Sequence, residues 1–207
     1  MKIAVIAANG RSGSAFVDTA LKAGHSIRAG IHGPSRLVAS PSLEIVPCDA
    51  TKPDELSNLI AGCDAVVSLI GHVKGSPPRV QTEAINNLVT SMKNARIRRV
   101  VSLTGTGVRF TGDKITLTDR LLNLSIGIID PNRVQDGIDH VTALKASELD
   151  WTVIRVLKLQ NVPPRAYRLS ANGPTKPYVG REEVAQAILE VLTAKSFIQE
   201  APIIARP

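Results

Sequence analysis

A chain of 207 residues, 43% hydrophobic and 21% charged, can bury one substantial core but is short for two full domains. Its net charge of +7 admits an anionic partner, yet six aromatic residues in all are too few for a base-stacking platform. Nucleic acid is therefore not expected as a partner, and a phosphorylated small molecule accounts for the sign equally well.

The opening Met-Lys-Ile-Ala-Val-Ile-Ala-Ala carries an apolar run too short for a signal-peptide core, and Asn9-Gly10-Arg11 breaks it. No stretch approaches the roughly 18 apolar residues of a membrane span, so no membrane partner is expected. Short runs rich in Val and Ile at Lys2–Ala7, Ser26–Ile31, Leu43–Pro47, Ala65–Ile70 and Val100–Leu103 read as buried parallel strands. Between them lie helical stretches at Ser12–Ala23, Pro53–Ala61 and Pro78–Ala95; Gly24 and Gly62 close the first two, and prolines open the last two. Residues 105–115 read as a loop with three glycines, 116–125 as a short helix, Asn132–Glu148 as a longer one and Trp151–Val156 as a sixth strand. Pro163, Pro164, Pro174 and Pro177 interrupt the next segment, after which Arg181–Ala194 is helical and Ile203–Ala205 a last short strand. This alternation predicts an α/β fold with a doubly wound parallel sheet. Residues 1–207 form one Rossmann domain on this reading, with 157–207 partly making a small substrate-side lobe. The basic cluster Arg96, Arg98 and Arg99 falls where a helix hands over to a strand and complements the helix dipole. Cys48 and Cys63 lack metal-ligand spacing and read as reduced thiols, which predicts a cytoplasmic protein.

The turn after the first strand reads Ala7-Ala8-Asn9-Gly10-Arg11-Ser12-Gly13. A dinucleotide's diphosphate needs a tight turn, a bare backbone and the free N–H groups of a helix start. Gly10 supplies the close approach and Gly13 the helix–strand contact, while Ala8 stands at the first glycine of the G-x-G-x-x-G pattern. Residues 26 to 40 contain no carboxylate to accept a bond from a ribose 2′-hydroxyl. His32, Ser35 and Arg36 stand there instead and suit a 2′-phosphate, so NADP(H) is the expected cofactor, with NAD possible.

These residues also carry a family resemblance. The turn resembles the G-A-T-G-x-x-G turn of the atypical, or extended-type, short-chain dehydrogenases, with Ala7, Ala8 and Asn9 in place of Gly, Ala and Thr. Asp49-Ala50-Thr51 resembles that group's Asp-x-Thr, which implies contact of Asp49 with the adenine and places Ala50 beside it. The segment Asp64–Gly71, ending in Leu69-Ile70-Gly71, is similar to the group's fourth strand. Leu149-Asp150-Trp151-Thr152-Val153-Ile154-Arg155 is similar to its S-G-L-D-W-T-V-I-R-P segment, with Glu148 for the Gly and Val156 for the Pro. Within the group the likeness is to compact NAD(P)H-binding proteins of the NmrA-like and NAD(P)H-flavin reductase (biliverdin reductase B-like) type.

The resemblance implies a Tyr-x-x-x-Lys pair for proton exchange, but the corresponding positions hold Arg133 and Gly137. Thr104 stands where the family has Ser or Thr near the nicotinamide. With His140 it forms the candidate catalytic pair, and His72 and Thr106 are the other polar groups expected nearby. The four histidines show no metal-ligand spacing, so no metal is expected. Without the dyad, a planar acceptor that takes hydride without an enzymic acid, such as a flavin or quinone, suits the site. A non-catalytic dinucleotide sensor is the alternative. A nucleotide-sugar epimerase relative is disfavoured by the missing dyad and the short C-terminal region. The sequence leaves the oligomeric state open.

Overall fold

Strand β1 (Lys2–Ile6) alternates between two cores: Ile3 and Val5 face one, Ala4 and Ile6 the other. The computed structural model describes residues 1–73 and 75–207 of the chain. In chain order follow α1 (Arg11–Lys22), β2 (Ser26–Ile31), β3 (Leu43–Pro47), α2 (Pro53–Ile60), β4 (Ala65–Ser68), α3 (Val80–Ala95) and β5 (Arg99–Gly105). Then come α4 (Leu117–Ile129), α5 (Pro131–Lys145), β6 (Asp150–Val156), β7 (Leu159–Gln160), β8 (Arg168–Ser170), β9 (Val179–Gly180), α6 (Arg181–Thr193) and β10 (Ile203–Ala205).

The main sheet has the order β3-β2-β1-β4-β5-β6-β10-β8, parallel throughout except for the antiparallel β8–β10 pair; β7 and β9 form a separate parallel pair. Phe16 and Val17 of α1 share one core with Val184, Ile188 and Val191 of α6. On the opposite face Leu56 and Leu59 of α2, Leu88 and Met92 of α3 and Leu144 of α5 pack together. Helices thus cover both faces, as the near-continuous apolar strands require. Full burial of such side chains stabilises by about 1.5–3 kcal/mol each.

Several boundaries differ from the expected ones for identifiable reasons. β4 ends at Ser68, and residues 69–73 run along the cleft instead of continuing the ladder. α4 extends to Ile129, four residues past the expected end; Asp130 then caps α5 by accepting the Arg133 N–H at 3.2 Å, ahead of Pro131 in the first turn. β7, β8 and β9 have two or three residues each, too few to carry a periodicity. Arg98 pairs with Asp150, while buried Arg99 donates to the carbonyls of Val191 and Asp150 at 2.8 Å. Those two arginines thus serve the sheet and not the dipole of α3.

Arg155, 1% exposed, closes the C-terminal end of β6. Its guanidinium pairs in two-pronged fashion with Asp113 and donates to the carbonyls of Ala201 (2.7 Å), Val108 (3.0 Å) and Ala171 (3.1 Å). Burial alone would raise the Asp113 pKa, but the hydrogen bonds from Arg155 and the Phe110 N–H hold it below the ordinary value. Arg155→Met leaves the Asp113 carboxylate buried without its cation, and urea denaturation should register a loss of about 3–5 kcal/mol. The Arg155→Met/Asp113→Leu double variant should recover much of that loss. A single variant as stable as the parent would show that the pair does not carry this weight.

Candidate functional site

At the end of β1 the chain turns through Ala7, whose φ of +59° lies in the left-handed region that favours glycine. An alanine held there costs about 1–2 kcal/mol. The backbone kink falls at Ala7, one residue before the position expected from the G-x-G-x-x-G pattern; Ala8 is fully buried and donates its N–H to Gly30 O at 3.0 Å. A Cβ on Gly13 would lie 2.2 Å from Ala7 O and 2.7 Å from Ala8 O, so only glycine lets α1 sit this close to the turn. A Cβ on Gly10 would meet Ala7 O at 3.2 Å. Gly10 caps α1 in an extended conformation with no side-chain bond, and the first turn of α1 has no acidic residue. Among the described residues the first-turn N–H groups thus lack a side-chain acceptor, as an anion site requires.

A cleft of about 630 Å³ opens from this turn across the C-terminal ends of β1, β4, β5 and β6. Of the expected cofactor residues, Gly10, Arg11, Ser12, Leu69, Ile70, Gly71 and Thr104 line it, and Ala7 joins them. Ala8, Asn9, Gly13, His32, Arg36, Asp49 and Ala50 do not. Ala8 and Gly13 shape the turn from beneath. Asn9 acts as a clasp: its amide donates to Pro34 O at 2.7 Å, and its side-chain oxygen accepts the Arg36 N–H at 2.8 Å. The loop with exposed His32 and Arg36 is thereby fixed to the turn. Asp49 is held by Thr51, whose hydroxyl and N–H donate to it at 2.7 and 3.0 Å. These bonds hold its pKa below the ordinary value, aided by the nearby His32. Ala50 lies against the core beneath, its carbonyl near the Asn87 amide at 3.4 Å.

The candidate catalytic pair is separated. Thr104, nearly buried, presents its edge to the cleft, and a Cβ on Gly137 would stand 2.9 Å from its hydroxyl, so Gly137 lets α5 close against this position. His140 is not in the cleft. One turn further along α5, it lies under the sheet with Nε2 3.0 Å from Ser102 Oγ and Nδ1 without a partner among the described residues. Thr106 is buried and accepts from Asn123 at 3.1 Å. His72 does reach the cleft edge, with Nε2 2.8 Å from Asp136. Asp136, fully enclosed on α5, also accepts the Gln81 and Thr82 N–H groups at 2.8 and 2.9 Å. It therefore caps α3 from another helix. Burial opposes its charge, but the Thr82 hydroxyl, which donates to it at 2.5 Å, together with these N–H groups and the His72 ring holds its pKa below the ordinary value.

Residues the sequence reading did not select complete the walls. Leu122, Asn123 and Ile126 come from α4, Arg133 and Val134 from α5, residues 156–159 from the end of β6 to the start of β7, and Arg181 from α6. Arg133 donates to His72 O at 3.0 Å. Arg11, Arg133, Lys158 and Arg181 give the walls four fixed cations, and no Asp or Glu lines the cleft among the described residues. A basic residue in the first turn of a helix, against the dipole, was the readable signal at Arg11, Arg133 and Arg181. No group of metal-ligand residues occurs among the described residues.

Burial lowers the His140 pKa from 6.5 to about 4, outweighing the opposing pull of Asp136. The unfolded chain takes up this proton below about pH 6.5 while the folded one resists it, so stability is full above pH 6.5 and falls towards pH 4. Linkage puts the loss at about 3 kcal/mol. Urea denaturation at pH 7.5, 5.5 and 4.5 should show it, and His140→Gln, which can still bond Ser102, should flatten that window. Equal pH profiles for the two proteins would exclude His140 as the cause.

Comparison with known proteins agrees with this geometry. Residues 7–195 match the family described as NAD(P)H-binding. The chain is 26% identical over 193 residues to the chloroplastic protein TIC 62 of Pisum sativum, covering 81% of this chain but spanning only 34% of that protein's length. It superposes on a wide-type short-chain dehydrogenase/reductase of Veillonella parvula, solved in complex with NADP, with a TM-score of 0.84 at 18% identity, covering 100% of this chain and 94% of that one. A candidate NADH-flavin reductase of Streptococcus pneumoniae gives a TM-score of 0.79 at 21% identity, with both chains covered in full. With the glycine turn, the open first turn of α1 and the match over most of its length, the chain belongs to the NAD(P)H-binding family of Rossmann proteins.

Proposed function

We propose that the protein is an NADPH-dependent oxidoreductase that passes hydride to a flavin, a quinone or a similar planar acceptor. The observation that carries this is the composition of the cleft beyond Thr104. Val108, Leu122, Ile126, Val134, Val156 and Leu157 make an apolar slot there, and neither tyrosine lines it. Tyr167 is bonded to Glu190 at 2.7 Å, and Tyr178 is 42% exposed. Arg133 lines the cleft where the family places its tyrosine, and Gly137, at the lysine position, packs on Thr104. Such a slot can hold and orient a flat ring but offers no tyrosine to exchange a proton with an alcohol.

The cofactor fits the residues present. Gly10, Arg11 and Ser12 would hold its diphosphate, with Leu69–Gly71 beside its path and Thr104 at the nicotinamide end. When bound, it supplies the hydride. The protein's share is to hold and orient two rings against the apolar walls; the proton comes from solvent once the acceptor has taken the hydride. Buried, unpaired Cys48 and Cys63, their thiols pushed up by burial, Cys48 to about 12, suit the reducing cytoplasm to which we assign it.

A second reading, a dinucleotide-binding sensor without turnover, is favoured by the same absence of a Tyr–Lys pair. Offering FMN, riboflavin and a quinone separately with NADPH separates the two. Turnover with at least one supports the reductase, and tight NADPH binding with none supports the sensor. Thr104→Val should lower turnover less than tenfold, since its hydroxyl orients and does not react. Gly71→Leu should abolish it, because a Cβ at Gly71 meets nothing within 4 Å and the side chain can extend into the cleft. A loss of several orders of magnitude in Thr104→Val with binding intact would make Thr104 a true acid.

Cofactor preference gives a separate test. His32 and Arg36 lie on a carboxylate-free loop, and each charge-assisted contact to a 2′-phosphate is worth about 1.5–3 kcal/mol. NADPH should therefore bind at least about tenfold tighter than NADH by calorimetry, and Arg36→Ala should reduce the preference. Equal affinities in the parent would remove this part of the reading.

A further inference from the structure

Two helices begin at the cleft, and each begins with an arginine. Arg11 is the first residue of α1 and Arg181 the first of α6, both following a glycine N-cap in extended conformation, and both line the cleft. A cation in the first turn opposes the helix dipole, and two such ends facing one cavity repel each other. That repulsion is felt within the protein: burial first, and then the charge of Arg11, lower the Arg181 pKa.

Among the described residues the cleft wall offers this pair no counter-charge. Glu183, the carboxylate of the first turn of α6, is fully buried and committed to Arg206 and to the N–H groups of Gly180 and Arg165. Glu182 is exposed and is not part of the cleft wall. Arg181 is fixed from outside by Asn161, which accepts from Nη1, while its buried Nε has no hydrogen-bond partner among the described residues. A buried, unmet donor on a fixed cation is costly unless a ligand completes it.

We propose that Arg11 and Arg181 form a two-sided clamp for a phosphate group between the starts of α1 and α6. Two sources carry that chemistry, the diphosphate of the dinucleotide and the phosphate of an FMN-like acceptor. The inference deepens the reading of the cleft as a dinucleotide and acceptor site, and adds to the α1 turn a second arm from a helix more than 150 residues away in the chain.

Calorimetry of binding alone tests it, with NADPH, FMN and riboflavin as separate probes and inorganic diphosphate as competitor. Arg181→Met should weaken NADPH about tenfold or more and flatten the dependence of its Kd on salt, and diphosphate should displace NADPH from the parent more readily than from the variant. Arg181→Lys, which keeps the charge, should fall between, and Asn161→Ala should move in the same direction as Arg181→Met. An unchanged NADPH affinity with FMN weakened and riboflavin unaffected would give the same clamp to the acceptor's phosphate. Unchanged affinities for both NADPH and FMN in Arg181→Met, with melting temperature preserved, would overturn the clamp. Because no turnover is read, a protein that binds these ligands but reduces no acceptor would end the reductase reading and leave the clamp standing.

Discussion

The architecture above the sheet depends on burying one guanidinium. Arg155 sits at 1% exposure among otherwise apolar strand residues, a position an isolated charge cannot occupy. Its acceptors come from three irregular segments: Asp113 and Val108 from the loop after β5, Ala171 from the turn after β8, and Ala201 just before β10. Each supplies part of what the charge needs, so the charge in turn dictates where each must lie. Val108 and the loop beneath it then form one wall of the cleft. The apolar strands provide most of the stability, while this ion pair specifies how the segments without regular structure close over them.

A second buried carboxylate plays the corresponding part on the other wall. Asp136 brings together the first turn of α3, the His72 ring and α5. α3 begins at Val80 with no cap of its own, and Asp136, on another helix, satisfies its first N–H groups. Arg133, one turn earlier on α5, ties the same segment through the His72 carbonyl. Leu69 still donates its N–H to Ile6 O of β1 at 3.2 Å, and beyond it the run is held at His72 by these polar contacts. This explains how it can leave the sheet at Ser68 and remain placed along the cleft.

The parallel strands were legible because the central ones are buried on both faces and carry short runs rich in Val, Ile and Ala. The glycine turn after β1 was legible because Gly13 admits no substitute at 2.2 Å from Ala7 O, so the geometry leaves a mark in the residue type. The placing of His140 was not legible. A helix residue beside Thr104 in pattern can face the cleft or the underside of the sheet, and the packing of Gly137 on Thr104 turns His140 to the underside. Nor was the cap on α3, whose donor and acceptor are 55 residues apart and have no local pattern in common. At Arg181 a charge set against its helix dipole was readable, but its nearness to Arg11 was not, since only the packing of α6 against α1 creates it.

The Asn9 clasp has a consequence for how cofactor preference can change. Because Asn9 grips the Pro34 carbonyl and the Arg36 N–H, the two atoms it needs belong to the backbone and not to any side chain of the loop. The side chains that we propose meet the ribose are thus interchangeable cargo on a fixed bracket. Acidic residues can replace His32 or Arg36 without disturbing the grip, whereas an insertion between 34 and 36 or a proline at 36 breaks it. The loop and the turn are mechanically joined but chemically separable, which leaves this loop free to drift in sequence while its length stays fixed.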